Sequence, residues 1–256
     1  MAEVGFPDLL AIGGTAHVGL VDSTGRRIPA VRSAFPALVV LALVACGGPR
    51  ERTTPPPAPP GVLHAPSEYA GDFALDQRVT IGFTRPDGSQ DEQGFRAVIE
   101  KRGDGIVMVA LGPHGGRAFV LTQRGTDVRF ESHLPEELPF PPEYMMFDVH
   151  RTWLVGVPGA PLADGEHSAA VDGEEIVETW SGGRLQSRSF RRLDGVPAGL
   201  VTITYEGGLD PSLDAAAPTR VVMENGWFGY RIVLDELTRR ALPPPDAAPA
   251  TDAGAS

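Results

Sequence analysis

The residues able to do chemistry are few and scattered. Six histidines occur, His17, His64, His114, His133, His150 and His167, and no two are spaced as metal ligands on one helix or strand would be. A Gly-x-Ser-x-Gly nucleophile elbow, a phosphate loop and a His-Glu-x-x-His zinc motif are all missing. Each histidine reads as a solvated or singly hydrogen-bonded side chain, with His150 on a helix and His114 in a turn. Carboxylates come as adjacent pairs, Glu136-Glu137 and Glu174-Glu175. Neighbours on a strand point to opposite faces, so solvated charges are expected here. A general acid/base pair assembled from distant segments stays open, but no catalytic residue, metal site or cofactor is expected. The residue whose surroundings specify chemistry is the single cysteine, Cys46, which excludes a disulfide framework and a Cys-rich zinc site.

Residues 34–45 carry no charge and run directly into Cys46. The run is too short for a membrane-spanning helix, which needs roughly 20 apolar residues. It fits the apolar region of a secretory signal, roughly 7–15 residues long, with Arg32 as the positive flank. Leu43-Val44-Ala45-Cys46, followed by Gly47-Gly48, resembles the bacterial lipobox, in which the cysteine is lipidated on sulfur and becomes the new N-terminus. The competing reading, a buried cysteine in a core helix, has the following Gly-Gly-Pro and the lack of helical periodicity against it. One acyl chain binds a bilayer marginally, at about 0.8 kcal/mol per buried methylene, so the several chains of a lipoprotein cysteine would anchor the protein permanently. Because Gly47 rather than Asp follows, the enteric sorting rule implies the outer membrane. Residues 1–30 form a leader in which Arg26 and Arg27 with Arg32 beyond it balance Glu3, Asp8 and Asp22. They are expected to be upstream sequence translated in error, leaving 31–45 as the signal peptide with a start at Val31.

The 256 residues hold 42% apolar residues, enough for a core, and a net charge of −11 that disfavours phosphate backbones and hence nucleic-acid binding. The 31 glycines and 25 prolines favour turns and strands. Lys101 is the sole lysine among 22 basic residues, which reads as codon bias. Residues 46–66, the cysteine and a proline-rich linker, favour extended polyproline II. Residues 67–241 form one candidate domain, and 242–256 a disordered tail. Within the domain, Val79, Ile81 and Phe83 alternate with polar residues, as do Phe95, Ala97 and Ile99. Ile106–Leu111 is apolar on both faces and so predicted central. Further strands are predicted at 118–122, 128–130, 174–180, 184–191, 199–205, 219–224 and 229–237, with the polar 184–191 at an edge or on an outer face. One helix is predicted after Pro141-Pro142-Glu143, with Met145, Val149, Thr152 and Trp153 at helical spacing and Gly156 and Pro158 as its stop. It is either a plain core helix or a plug in a concave sheet whose methionines adapt to ligands.

Several segments, in order, resemble the outer-membrane lipoprotein receptor LolB and the periplasmic carrier LolA, and most of all an uncharacterised LolB-like lipoprotein family. They are Ile106–Leu111 with the turn Gly112-Pro113-His114-Gly115, the helix ending Trp153-Leu154-Val155-Gly156-Val157-Pro158-Gly159, Thr202-Ile203-Thr204-Tyr205-Glu206-Gly207-Gly208, Val221-Val222-Met223-Glu224-Asn225 and Tyr230-Arg231-Ile232-Val233-Leu234. The resemblance implies a mainly β fold: an open antiparallel half-barrel of about eleven strands with helices in the concavity. It also implies a cavity that receives acyl chains, with candidate walls Val79, Ile81, Phe83, Phe95, Ile99, Met108, Phe119, Leu121, Met145, Val149, Trp153 and Tyr230. The membrane-facing turn would be Pro113, His114 and Gly115. In LolB this turn carries an exposed leucine, whereas here the position is the polar His114.

The leading expectation is a non-catalytic, lipid-anchored acceptor of the acyl chains of a lipoprotein or lipid cargo at the periplasmic face of the outer membrane, partnered by a periplasmic carrier protein. The alternative is a structural lipoprotein that tethers a partner complex through the proline-rich linker. A periplasmic hydrolase would require a histidine clustered with Ser or Asp.

Overall fold

The computed structural model describes residues 61–84, 88–112, 114–134 and 141–243. The leader, the apolar run, Cys46, Pro113 and almost all of the C-terminal tail lie outside the described residues. Eleven strands form one antiparallel sheet: β1 Phe73–Thr84, β2 Gln90–Arg102, β3 Gly105–Leu111, β4 Arg117–Arg124, β5 Asp127–Ser132, β6 Gly165–Val171, β7 Glu174–Ser181, β8 Arg184–Arg192, β9 Val201–Leu209, β10 Arg220–Asn225 and β11 Tyr230–Ala241. A helix, α1, spans Glu143–Trp153, and a 3₁₀ turn spans Pro66–Glu68.

The spatial order is β5-β4-β3-β2-β1-β11-β10-β9-β8-β7-β6, with no pairing that closes β5 onto β6. The chain thus winds from the centre to one edge and restarts at the other. It then winds back until β11 pairs with β1, with Phe83 opposite Tyr230 and Phe73 opposite Ala241. The only α-helix among the described residues connects the two edges, so it crosses the face of the sheet. The sheet curls around it. Gln123 on β4 and Glu174 on β7, each one strand in from opposite edges, both bond side chains of α1. The expected open half-barrel is therefore the fold. One α-helix, where the resemblance implied several, fills the described part of the concavity.

The period-two pattern decides which face is which. Phe73, Leu75 and Val79 on β1, Ala97 and Ile99 on β2, Phe119 and Leu121 on β4, and Val201, Ile203 and Tyr205 on β9 are all buried. Strand β3 corrects an expectation. Ile106, Met108 and Ala110 are buried while Val107 is 38% exposed, and β3 lies third from an edge. Its valines reflect strand propensity on an outer face, not burial on both.

Strand β8 corrects another. It lies between β7 and β9, away from the edge, and its Arg188 is buried. The true edge β6 carries Glu166, His167 and Ser168, too polar and too weakly alternating to be predicted as a strand. Lys101 is buried, and its Nζ donates to the Gly71 carbonyl at 2.8 Å, so the sole lysine has a structural place. Packed chain is already present at Leu63, which lies against the core.

Candidate functional site

Helix α1 starts where fixed backbone and charge favour it. Pro142 is the N-cap and Glu143 meets the positive end of the helix dipole, while His150 and Arg151 sit in the last turn. The helix ends at Trp153, where the Leu154 and Val155 amides both donate to the His150 carbonyl at 2.8 Å. Met145, Val149 and Trp153, with Asp148 and Thr152 beside them, face the sheet across a cavity of about 60 Å³. The opposite wall is Gln77, Val79 and Ile81 of β1, Phe95 and Ile99 of β2, Met108 of β3, Val221 and Met223 of β10, and Ile232 and Leu234 of β11.

Eight of the twelve predicted wall residues line this one space: Val79, Ile81, Phe95, Ile99, Met108, Met145, Val149 and Trp153. Phe119 and Leu121 are buried next to it rather than on it, with the Phe119 ring edge-on to Phe95 at 5.8 Å. Phe83 is half-buried on β1 opposite Tyr230. Tyr230 acts through its hydroxyl, which donates to Asp148 Oδ2 at 2.5 Å and accepts from Asn225 Nδ2 at 2.7 Å.

The polar members of the wall are Gln77, Asp148 and Thr152. Burial pushes the Asp148 carboxyl up to about 6, against the opposing pull of Tyr230 and Arg151. Burial, with the Asp148 charge added, holds the Tyr230 hydroxyl well above its ordinary range. Thr152 Oγ1 donates to the Asp148 carbonyl one turn back. Sequence reasoning missed Gln77. Extending the β1 alternation back from Val79 through Leu75 to Phe73 would have exposed it as a polar residue in an apolar series.

The far side of α1 is held by charge. Arg151 Nη2 donates to Glu174 Oε1 at 2.8 Å, and its guanidinium lies 4.8 Å from the centre of the Trp227 ring. Arg188 bonds Glu178 Oε1 at 2.6 Å and the Arg151 carbonyl at 2.9 Å, while Trp180 Nε1 donates to Glu178 Oε2 at 2.9 Å. Tyr205 donates to the Thr152 carbonyl at 2.7 Å. The buried face of β7 thus reads Glu174, Ile176, Glu178, Trp180, two acids where a core strand normally has none. This corrects the expectation that Glu174 and Glu175 are both solvated. They do point to opposite faces, but Glu174 turns inward to Arg151, while Glu175 pairs with Arg191 on the outer face. The chain leaving the helix passes so close to this network that a Cβ at Gly156 would lie 2.4 Å from Glu178 Oε1.

A strap at 61–69 crosses between the two halves of the sheet. His64 engages Asp172 in the β6–β7 turn at 2.6 Å and Glu68 at 3.0 Å. Its carbonyl accepts from Gln123 on β4, whose Oε1 contacts His150 Nε2 of α1, both at 2.7 Å. Burial lowers the His64 pKa, but the bonds to Asp172 and Glu68 outweigh it and leave it raised. His150 is buried and singly hydrogen-bonded, the second of the two expected environments, and burial drives its pKa down to about 4. His133 and His167 face Glu131 and the Ala163 carbonyl. No cluster able to hold a metal ion exists among the described residues.

A family model covers residues 74–238, the sheet from β1 to β11 with α1 inside it. The chain belongs to the DUF3261 family, described as proteins of unknown function. No curated protein matches it. Among solved structures it is similar to a LolA superfamily protein from Nitrosomonas europaea, at 20% identity over 68% of this chain and 88% of that one, with a TM-score of 0.36. It is also similar to a domain from Vibrio parahaemolyticus described as an outer membrane lipoprotein-sorting protein, at 11% identity over 70% and 88%, with a TM-score of 0.34.

At the surface of this DUF3261 chain, the predicted membrane-facing turn presents His114 and Gly115 to solvent, with Pro113 outside the described residues. Exposed large apolar side chains gather instead between β8 and β9: Leu193 at 57%, Val196 at 71% and Leu200 at 46%. That loop is pinned from beneath, with Trp227 Nε1 donating to the Gly199 carbonyl at 3.1 Å and the Gly226 amide to that of Leu200 at 2.8 Å. No helix among the described residues is long and apolar enough to cross a membrane.

Proposed function

We propose that this protein is a non-catalytic acceptor of acyl chains, taking those of a lipoprotein or lipid cargo into the space between α1 and the concave sheet. In this reading Cys46 anchors it to the periplasmic face of the outer membrane, and a periplasmic carrier protein delivers the cargo. The observation that carries the reading is the wall composition: twelve of the fifteen residues lining the cavity are apolar, and they come from both the helix and the sheet. The lipobox-like run before Cys46 supports the anchor. In the same reading the bilayer meets the loop bearing Leu193, Val196 and Leu200 rather than the polar turn at His114.

The cavity as it stands is small. At about 60 Å³ it falls below the roughly 150 Å³ that accommodates a benzene, so an acyl chain enters only if α1 shifts away from the sheet. This small volume favours the second reading, a lipoprotein that tethers a partner complex and keeps its core closed. The full chain carrying Cys46→Ser, purified without detergent, distinguishes the two. Acyl binding predicts co-purified lipid by native mass spectrometry and saturable, one-to-one displacement of a fluorescent fatty acid. A protein that is always empty and takes up no probe, yet captures a stoichiometric protein partner, would establish the tether instead.

A further inference from the structure

We propose that the cavity is built for a hydroxylated acyl chain, with the Gln77 side-chain amide as the partner of the ligand's hydroxyl. The inference rests on the acyl-binding reading above and names its ligand more closely. Strand β1 directs Phe73, Leu75, Gln77 and Val79 to the buried face, and Gln77 is the polar member of that row. It is 3% exposed, lines the cavity, and its Oε1 is buried with no hydrogen-bond partner among the described residues. A buried amide oxygen without a donor is destabilising, and an apolar residue of similar size would remove that cost. Gln77 therefore makes a poor wall for an empty cavity and a suitable one for a ligand that brings a donor into an otherwise apolar space.

The surroundings narrow the chemistry of that donor. Gln77 sits opposite Ala97 on β2, whose side chain has no polar atom to meet the amide. It belongs to the sheet, so it keeps its place when α1 moves. A plain hydrocarbon chain would leave Oε1 unmet. A carboxylate headgroup would bring only acceptors, which suit the amide nitrogen but not Oε1, and would place a second carboxylate in a wall that already holds Asp148. A hydroxyl part-way along an acyl chain donates to Oε1, and it can also accept from the amide nitrogen if the amide is turned the other way.

Calorimetric titration of the full chain carrying Cys46→Ser with palmitic acid and with its hydroxylated counterparts tests the inference. At least one hydroxylated chain should bind roughly three- to tenfold more tightly than palmitic acid, the ratio that one buried hydrogen bond supplies. In Gln77→Leu that preference should vanish, the ratio of hydroxylated to plain affinity falling to about one whatever the affinity for palmitic acid, with no fall in melting temperature. Gln77→Met, unbranched like glutamine, serves the same comparison if leucine disturbs the strand. Equal affinity of the parent for plain and all hydroxylated chains would overturn the inference, with Gln77 then satisfied by water alone, while acyl binding would stand. Binding of none of them would overturn the acyl-binding reading itself.

Discussion

The two sides of α1 are packed by different physics. Toward β1, β2, β10 and β11 the helix presents Met145, Val149 and Trp153 to an aliphatic wall with unfilled space, crossed by one directional bond, from Tyr230 to Asp148. Toward β4, β7 and β8 it is held by directional bonds: His150 to Gln123, Arg151 to Glu174, and Arg188 to the Arg151 carbonyl. Apolar contact is non-directional and tolerates sliding. Ion pairs and hydrogen bonds out of water fix one geometry and are costly to break. The charged side therefore sets where the helix sits, and the apolar side is where it has room to yield. A helix hinged in this way can open a cavity without losing its place.

The strongest way to break this contrast is to remove one partner on the charged side. Glu178 is fully buried between Arg188 and Trp180. Glu178→Ala leaves the Arg188 guanidinium buried without its carboxylate, and the expected loss is about 3–5 kcal/mol in urea denaturation. Replacing both members, Glu178→Met with Arg188→Met, should recover most of it, because desolvation then has no charge to penalise. If Glu178→Ala lost under about 1 kcal/mol, the surface-pair range, the charged side would not be what positions the helix.

Next in size is a pH effect on that same side. His150 has a folded pKa of about 4 against an ordinary 6.5, because burial disfavours its charged form. Its contribution is fully present above pH 6.5 and is lost as pH falls toward 4, since the unfolded chain takes up the proton first. Asp148, on the cavity side, has the opposite sign. Its carboxyl is raised from 3.8 to about 6, so the folded state binds the proton first and gains stability as pH falls through that interval. Replacing His150 with glutamine separates the two. Relative to the parent, the variant should gain about 3 kcal/mol between pH 6.5 and 4, read as the pH dependence of the urea midpoint. A pH-independent difference would mean that His150 is not buried neutral.

Much of the apolar side was legible in the sequence, and little of the charged side. Alternation at Val79 and Ile81 and helical spacing at Met145, Val149 and Trp153 are local patterns, and these five residues line one space. The charged side is assembled from pairs far apart in the chain. Arg151 and Glu174 are 23 residues apart, and His150 and Gln123 are 27. A glutamate beside another glutamate reads as solvent-facing until its arginine is known, as Glu174 does, and the arginines of β8 read as an outer face until Glu178 is placed beside Arg188. Asp148 carries no local signal either, because its raised pKa arises from burial by the surrounding fold, against the pull of a tyrosine 82 residues away. The polar Gln77 was legible in principle, as an interruption of a period-two series, but only once the strand was extended to Phe73.

The smallest expected effect bears on the apolar side alone. Val149 lines the cavity, so Val149→Ile places one more methylene where there is already space. In a true cavity that group is buried without displacing anything, and stability should rise by up to about 0.8 kcal/mol. In a core already filled, the same methylene would force neighbours out of their rotamers at a cost of about 1–3 kcal/mol. The sign of a small change thus reports whether the space is real. It also tests the link to ligand, because a cavity that admits acyl chains should bind the fluorescent fatty acid more weakly once partly filled. Higher stability with weaker probe binding would tie the under-packed side of α1 to ligand uptake. Higher stability with unchanged binding would place the ligand elsewhere and leave the cavity a packing defect.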